Sequence, residues 1–258
     1  MNIFNIIILA FSGFGAGIIT GIVGASAVIF IAGILIIVLN YPAYISIGIG
    51  LVTDVFTSAV STYHYKKNGN IDLKKGLLIG IFAVVFAFLG SFFSRQIPDS
   101  ILGNSLGIIT LLVGLNFLIT NKKNNEVHLF TFFKNRPLFT SILVGVVVGA
   151  ISGMFGIGGG LTILFILYLV FNLPIKKAVG TSVLIMTFIS FAGGVGHFIS
   201  YTVPWIDIAI ASIAGIIGSI ISSKYANKLP EEKMLKIIGI ILILIAIIML
   251  AQKLLVLF

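Results

Sequence analysis

Long apolar runs recur along this chain from one end to the other, and short clusters of Pro, Gly and charged residues punctuate them. Ten runs stand out, approximately Ile3–Val23, Ser26–Leu39, Ala43–Tyr63, Leu73–Phe93, Ile101–Ile119, Leu138–Phe155, Gly160–Phe171, Ala178–Ser200, Ile206–Ser223 and Met234–Val256. Most approach the roughly 20 residues that a helix needs to cross a bilayer. The second and seventh are short, and each follows a glycine-rich break. The pattern predicts an all-α polytopic membrane protein.

The two halves of the chain match at an offset of 132. Gly17, Gly21 and Gly24 fall on Gly149, Gly153 and Gly156, Pro42 on Pro174, Gly48 on Gly180, Pro98 on Pro230 and Gly107 on Gly239. Glycines align easily in a glycine-rich chain, but two prolines and a common order of breaks point to duplication. The expected organisation is a first membrane repeat at 1–119, a basic linker at 120–136 and a second repeat at 137–258.

Charge decides how many segments each half holds. If every run crosses, one side receives 14 of the 16 basic residues, and the other side only Arg95 and Lys253. If each short run merges with its predecessor, the basic loops scatter over both sides. The positive-inside rule therefore selects five segments per half, a cytoplasmic linker and both termini outside. Five is odd, so the halves are inverted. Inverted repeats with broken helices near the midplane mark secondary transporters.

Composition adds exclusions. Hydrophobic residues make up 59% of the 258, and charged residues only 9%, against roughly 25% in a soluble domain. That excludes a soluble enzyme, and the ten runs leave almost nothing outside the bilayer. The absence of Cys excludes disulfides, thiolate metal sites and a Cys nucleophile. A net charge of +9 fits loop lysines that orient spans better than nucleic-acid binding. The start lacks the basic region of a secretory signal, so the first run reads as a retained span. No Walker A sequence and no metal-ligand spacing occur, and no cofactor is expected.

The sharpest local feature is Gly153-Met-Phe-Gly156-Ile-Gly158-Gly159-Gly160-Leu-Thr162. Its glycines favour a helix break at membrane depth. The next helix then begins with bare N–H donors and about half a positive charge, which suits an anion. A packing kink is the competing explanation. A second mark is Asn172-Leu-Pro174-Ile-Lys-Lys-Ala178-Val-Gly180-Thr181-Ser182. Together these stretches resemble the TauE/SafE family of membrane permeases, also called the sulfite exporter family, over nearly the whole chain. The first half departs from the family pattern, with Gly24-Ala25-Ser26-Ala27 in place of a second glycine cluster. Leu164 and its neighbours replace a proline usual in the family. The resemblance implies transport of small anions such as sulfite, sulfonates or sulfoacetate. It carries Gly156, Gly158, Gly159, Gly160, Gly180, Thr181 and Ser182 over as substrate-binding positions.

No Lys or Arg lies in the middle of a run, so backbone N–H groups and hydroxyls must hold an anion. Ser26, Thr53 and Thr162 join Thr181 and Ser182 as hydroxyl candidates. Any one of them could instead bond its own backbone. Asp54 is the one acidic residue well inside a run, with Thr57, Ser58 and Ser61 on the same helical face. It is the candidate coupling residue, as proton carrier or cation ligand; a neutral buried carboxyl is the alternative. His64 and His197 stand near the ends of equivalent runs, as relays or interfacial anchors. Ser26 with His197 superficially resembles an intramembrane protease pair, with nothing to fix their geometry.

The expectation is a multi-pass cell-membrane permease for small anions, not an enzyme. Its partners are a small anionic substrate, the lipid bilayer and either protons or sodium, with no nucleic acid and room for a homo-oligomer. A cation-coupled carrier centred on Asp54, an anion channel and a non-transporting accessory subunit remain open.

Overall fold

The computed structural model describes residues 2–26, 28–93, 115, 136–155, 159–198 and 204–256. Among these the chain forms α1 (Ile3–Val23), α2 (Val28–Leu39), α3 (Ala43–Lys67), α4 (Leu73–Phe93), α5 (Pro137–Phe155), α6 (Gly160–Leu169), α7 (Ile175–Phe198), α8 (Trp205–Lys228) and α9 (Glu231–Val256). Nine of the ten predicted runs are therefore helical. The run at 101–119 and almost all of the linker at 120–136 lie outside the described residues. Helices α1, α3, α4, α7 and α8 contain stretches long and apolar enough to cross a membrane.

Helix ends differ from the predicted runs where charge extends a helix. α3 continues past Tyr63 through Lys66 and Lys67, which complement the negative end of its dipole. α7 starts at Ile175, directly after Pro174, and takes Lys176 and Lys177 into its first turn. α9 starts after Pro230 with Glu231 and Glu232, which suit a positive helix start.

Side chains sort inside out relative to a soluble protein. Ile81, Val85 and Leu89 on α4 and Ile213, Ile217 and Ile221 on α8 form exposed stripes at four-residue spacing. Ser12, Thr20, Ser46, Thr53, Asp54, Ser58, Ser182 and Ser190 are buried. Apolar residues outside and hydroxyls inside are what a lipid solvent selects.

Small residues lock the halves together. Gly13, Gly17 and Gly21 on α1 recur at offset 132 as Gly145, Gly149 and Gly153 on α5. A side chain on the first three would strike α8 at Ala211, Gly215 and Ser222; on the other three it would strike α4 at Ile79, Ala83 and Ala87. Each pair runs parallel at glycine distance, the close packing that drives helix association in lipid.

Exchanging the halves leaves the helix pairing unchanged. α1 on α8 becomes α5 on α4, α3 on α8 becomes α7 on α4, and α2 on α1 and α3 becomes α6 on α5 and α7. The α3–α7 pair maps onto itself. Tyr44 near the start of α3 stacks on His197 near the end of α7, with ring centroids 4.4 Å apart. Tyr65 near the end of α3 lies against Gly180 near the start of α7. Equivalent helices thus run antiparallel, as an odd number of segments per half requires.

The two ends of the bundle differ in charge. At one end Asn70 Nδ2 donates to Asn227 Oδ1 at 2.7 Å, and Lys176 Nζ to the Asn227 carbonyl at 2.8 Å. Lys66, Lys67, Lys74, Lys75, Lys177, Lys224 and Lys228 flank the same loops and helix ends. Asp72 sits among them, 2.5 Å from Lys75 Nζ. Burial alone would raise its carboxyl, but hydrogen bonds and charge from Lys75, with Lys177 behind, hold it below the usual value. At the other end the Tyr41 hydroxyl donates to Asp207 Oδ2 at 3.1 Å, and the Tyr44 hydroxyl to the His197 carbonyl at 2.5 Å.

Candidate functional site

The site lies where the two chain breaks meet. α1 ends at Gly24, whose φ of +68° puts it in the left-handed cap that glycine adopts without strain. The Gly24 N–H donates to the Thr20 carbonyl at 3.0 Å. In the second half the Gly159 N–H donates to Ser152 Oγ at 2.6 Å just before α6 begins. A Cβ on Gly160 would stand 2.8 Å from Ala25 Cα, Ser26 N and Met186 Sδ. Only glycine lets the first turn of α6 rest directly on the first-half break.

From this junction the short helices diverge. α2 leads toward Tyr41 and Asp207. α6 leads toward Phe171, whose ring lies 5.9 Å from Lys75 Nζ at the opposite end. Their N-termini therefore meet head to head, each with about half a positive charge.

Asp54 stands beside the junction, halfway along α3 and fully buried. The Ser26 hydroxyl donates to its Oδ2, and Thr20 Oγ1 donates to its Oδ1 at 3.4 Å. Ser58 donates to the Asp54 main-chain carbonyl, and Thr187 on α7 donates to Ser58 Oγ at 2.9 Å. Two hydroxyls, one from α1 and one from the first-half break, thus bond the carboxyl, and Ser58 and Thr187 extend the polar cluster past its backbone. A carboxylate at membrane depth costs at least about 2.5 kcal/mol on insertion scales. Its repeat counterpart is Met186, which touches Gly160, so a carboxyl flanks one break and a thioether the other.

The sequence candidates separate into groups. Ser26, Asp54, Gly159 and Gly160 converge on the junction. Ser182 joins them, donating to the Gly24 carbonyl at 2.7 Å. Thr53 is buried one residue away and accepts a long bond from Ser212, at 3.5 Å. Gly180 and Thr181 lie at the lysine-rich end: Gly180 packs on the Asn70 carbonyl, and Thr181 Oγ1 accepts from the Asp72 N–H at 2.9 Å. Thr162 is exposed and lines a lateral pocket of about 220 Å³ with Thr140, Val147 and Ile166. In the first half its counterpart Phe30 fills the equivalent place, against Gly15. Gly156 and Gly158 lie outside the described residues.

Sequence reasoning missed Thr20, Ser152 and Thr187. A signal existed for the first two: each is a hydroxyl residue four positions before a break glycine, Gly24 or Gly156, and they are equivalent at offset 132. His197 is buried rather than interfacial, 1% exposed, with Nδ1 3.2 Å from the Gly193 carbonyl. It belongs to the Tyr44 end and Ser26 to the centre, so they form no nucleophile–base pair. Among the described residues no cluster of His, Asp and Glu could hold a metal ion.

Known proteins resemble the chain over most of its length. A family profile described as Sulfite exporter TauE/SafE matches residues 9–249. "Probable membrane transporter protein YdhB" of Bacillus subtilis is 28% identical over 221 residues, covering 83% of this chain and 88% of that protein. "Probable membrane transporter protein YunE" of the same organism is 29% identical, covering 87% of each. A "Probable membrane transporter protein" of Methanocaldococcus jannaschii is also 29% identical, over 87% of this chain and 86% of that one. No solved structure matches the chain. With this match spanning both breaks and all nine described helices, the chain belongs to the TauE/SafE family and is a multi-pass membrane transporter, not an enzyme.

Proposed function

We propose that the protein is a secondary permease for small anions, with sulfur oxyanions and organosulfonates such as sulfite and sulfoacetate as the leading substrates. The observation that carries this reading is the seating of Gly160 against Ala25 and Ser26. It brings two helix N-termini together, and their combined partial charges amount to roughly one positive unit. The family description, Sulfite exporter TauE/SafE, supports the sulfur chemistry. Ser26, Gly159, Gly160 and Ser182 are the contacts assigned to the anion, with Gly156 and Gly158 completing the second break. Thr53 is held in reserve beside them. Gly180, Thr181 and Thr162 act at a distance, the first two on the route from the lysine-rich end.

In the cell membrane the lysine-rich end faces the cytoplasm under the positive-inside rule, and both termini face outward. The repeats at 1–119 and 137–258 build the carrier together, joined by the basic linker at 120–136. The membrane potential alone favours anion exit from a cell that is negative inside.

A second reading concerns coupling. Ser26 and Thr20 hold the Asp54 carboxyl against the junction, which favours a cation-coupled cycle over a simple pore. Flux into proteoliposomes tests both readings. Saturable, electrogenic uptake of sulfite or sulfoacetate supports the permease; currents at channel rates or silence with every anion would overturn it. Asp54→Asn should abolish the pH or sodium dependence of flux, and unchanged dependence removes Asp54 from coupling.

A further inference from the structure

We propose that Ser58, Ser61 and Thr62 form a hydroxyl ladder through which a proton passes between the Asp54 carboxyl and the lysine-rich end. The inference rests on the permease reading and deepens it, by making the proton the coupling ion and giving it a route apart from the anion's. Its starting point is a set of buried hydroxyls that the anion site does not use. Among the described residues Ser61 Oγ and Thr62 Oγ1 are buried with no hydrogen-bond partner. Buried orphans of this kind are rare, and where they occur an ordered water commonly satisfies them.

Their placement follows from helix geometry. Asp54, Ser58, Ser61 and Tyr65 are spaced at i, i+4, i+7 and i+11, so they share one face of α3, and all four are fully buried. Thr62 follows Ser61 and stands one helical turn beyond Ser58. Ser58 to Ser61 rises about 4.5 Å along the helix, a gap that one water bridges with two hydrogen bonds of about 2.8 Å. The track ends at Tyr65, whose hydroxyl donates to the Gly21 carbonyl at 3.0 Å, next to Lys66 and Lys67. In the other direction the same face of α3 is Leu51, Gly50 and Ile47, with no hydroxyl. The equivalent face of α7 carries Met186, Ser190, Gly193 and His197; Ser190 Oγ is also buried without a partner, but a thioether stands where the carboxyl does in α3. The ladder therefore serves one end of the protein.

The step balances simply. The neutral carboxyl loses its proton to a water held by Ser58 and Ser61; that water passes one of its own protons toward Tyr65, and a carboxylate remains. Ser26 and Thr20 donate to that carboxylate. Among the described residues no competing charge faces it. α1 and α2 carry no charged residue. α7 offers only Lys176, Lys177 and His197, and α8 only Asp207, Lys224 and Lys228, all near helix ends.

Infrared spectroscopy after a pH jump, on the full chain in lipid, tests this without a substrate. The carboxyl band that Asp54→Asn removes reports the protonation of Asp54. Expected is a wild-type carboxyl band that changes after the jump. Its rise and decay should slow about tenfold or more in Ser61→Ala/Thr62→Val, with Ser61→Thr restoring the rate. A wild-type rate in the double variant, or no titrating band, overturns the ladder. Sulfite flux measured on the same proteins tests the permease reading separately. Wild-type sulfite flux with an unaltered band rate in the double variant sinks the ladder alone. No sulfite flux in any protein, with a slowed band in the double variant, sinks the permease reading alone.

Discussion

The hydroxyl of Ser26, set in the first-half break, donates to Oδ2 of the Asp54 carboxyl halfway along α3. One hydrogen bond thus ties a discontinuous stretch of backbone to the only acidic side chain midway along a helix among the described residues. Ser26→Ala strips the Ser26 donor from Oδ2 of that carboxyl. The variant should lose about 1–3 kcal/mol of stability, the usual cost of stripping a partner from a buried polar group. Asp54→Asn with Ser26→Ala should be less destabilised than Ser26→Ala alone, because a neutral amide tolerates burial better. A double-mutant cycle of thermal midpoints reads the coupling, and strict additivity would deny it.

Gly160→Ala places a methyl 2.8 Å from Ala25 Cα and Ser26 N, where backbone must yield. Overpacking of this kind costs about 1–3 kcal/mol, and here it also pushes the helix ends apart. The variant should fold with a lowered midpoint and lose anion flux at least tenfold. Gly69→Ala is the control. Its Cβ would meet open space, and only its φ of +70° resists the change, so flux should stay at the wild-type level.

The Asp72–Lys75 pair predicts a response to acid at the lysine-rich end. The folded state holds the Asp72 carboxyl below its ordinary value. Its stabilisation is therefore present above the unfolded-state value, near about 3.9, and is lost as pH falls through the lower, folded one. Asp72→Asn should lower the midpoint modestly at neutral pH and flatten the acid limb of the stability curve. A curve parallel to wild type down to about pH 2 would remove Asp72 from that role.

The sidedness assigned to the protein is open to direct measurement, because the chain contains no cysteine to confuse labelling. Asn68→Cys, between α3 and α4, should react with an impermeant maleimide only when the cytoplasmic face is exposed. Asn2→Cys should react from outside in intact cells. Reversal of both results would invert the orientation, and reaction of both from one side would break the five-segment scheme.

Much of this architecture was legible from residue order, because its determinants are periodic or compositional. The offset of 132 foretold the pairing symmetry, and the lysine clusters foretold which loops share an end. Asp54 with its hydroxyl face also emerged from spacing alone. The rotation of helices beside the breaks was not legible. A helical period fixes facing only within one helix, and each glycine break resets the phase. Thr162, two residues into α6, therefore turned outward while Gly160 turned in. Gly180 and Thr181 read as part of one motif with Ser182, yet a single helical turn carries them to different neighbours: Asn70 and Asp72 at the end, Gly24 nearer the centre.

The glycine-lined contact between α1 and α8 has a consequence for how the chain is made. The lasting partner of α1 is made only after α2 through α7, and the matching contact of α5 reaches back to α4. Each half clasps a helix of the other, so neither half holds its complete set of neighbours by itself. Newborn α1 must wait in the insertion machinery or in lipid, its glycine surface uncovered, until α8 has been synthesised. Two half-length chains produced together in one cell should find each other and rebuild the clasp; either one produced alone should fall to quality-control proteases.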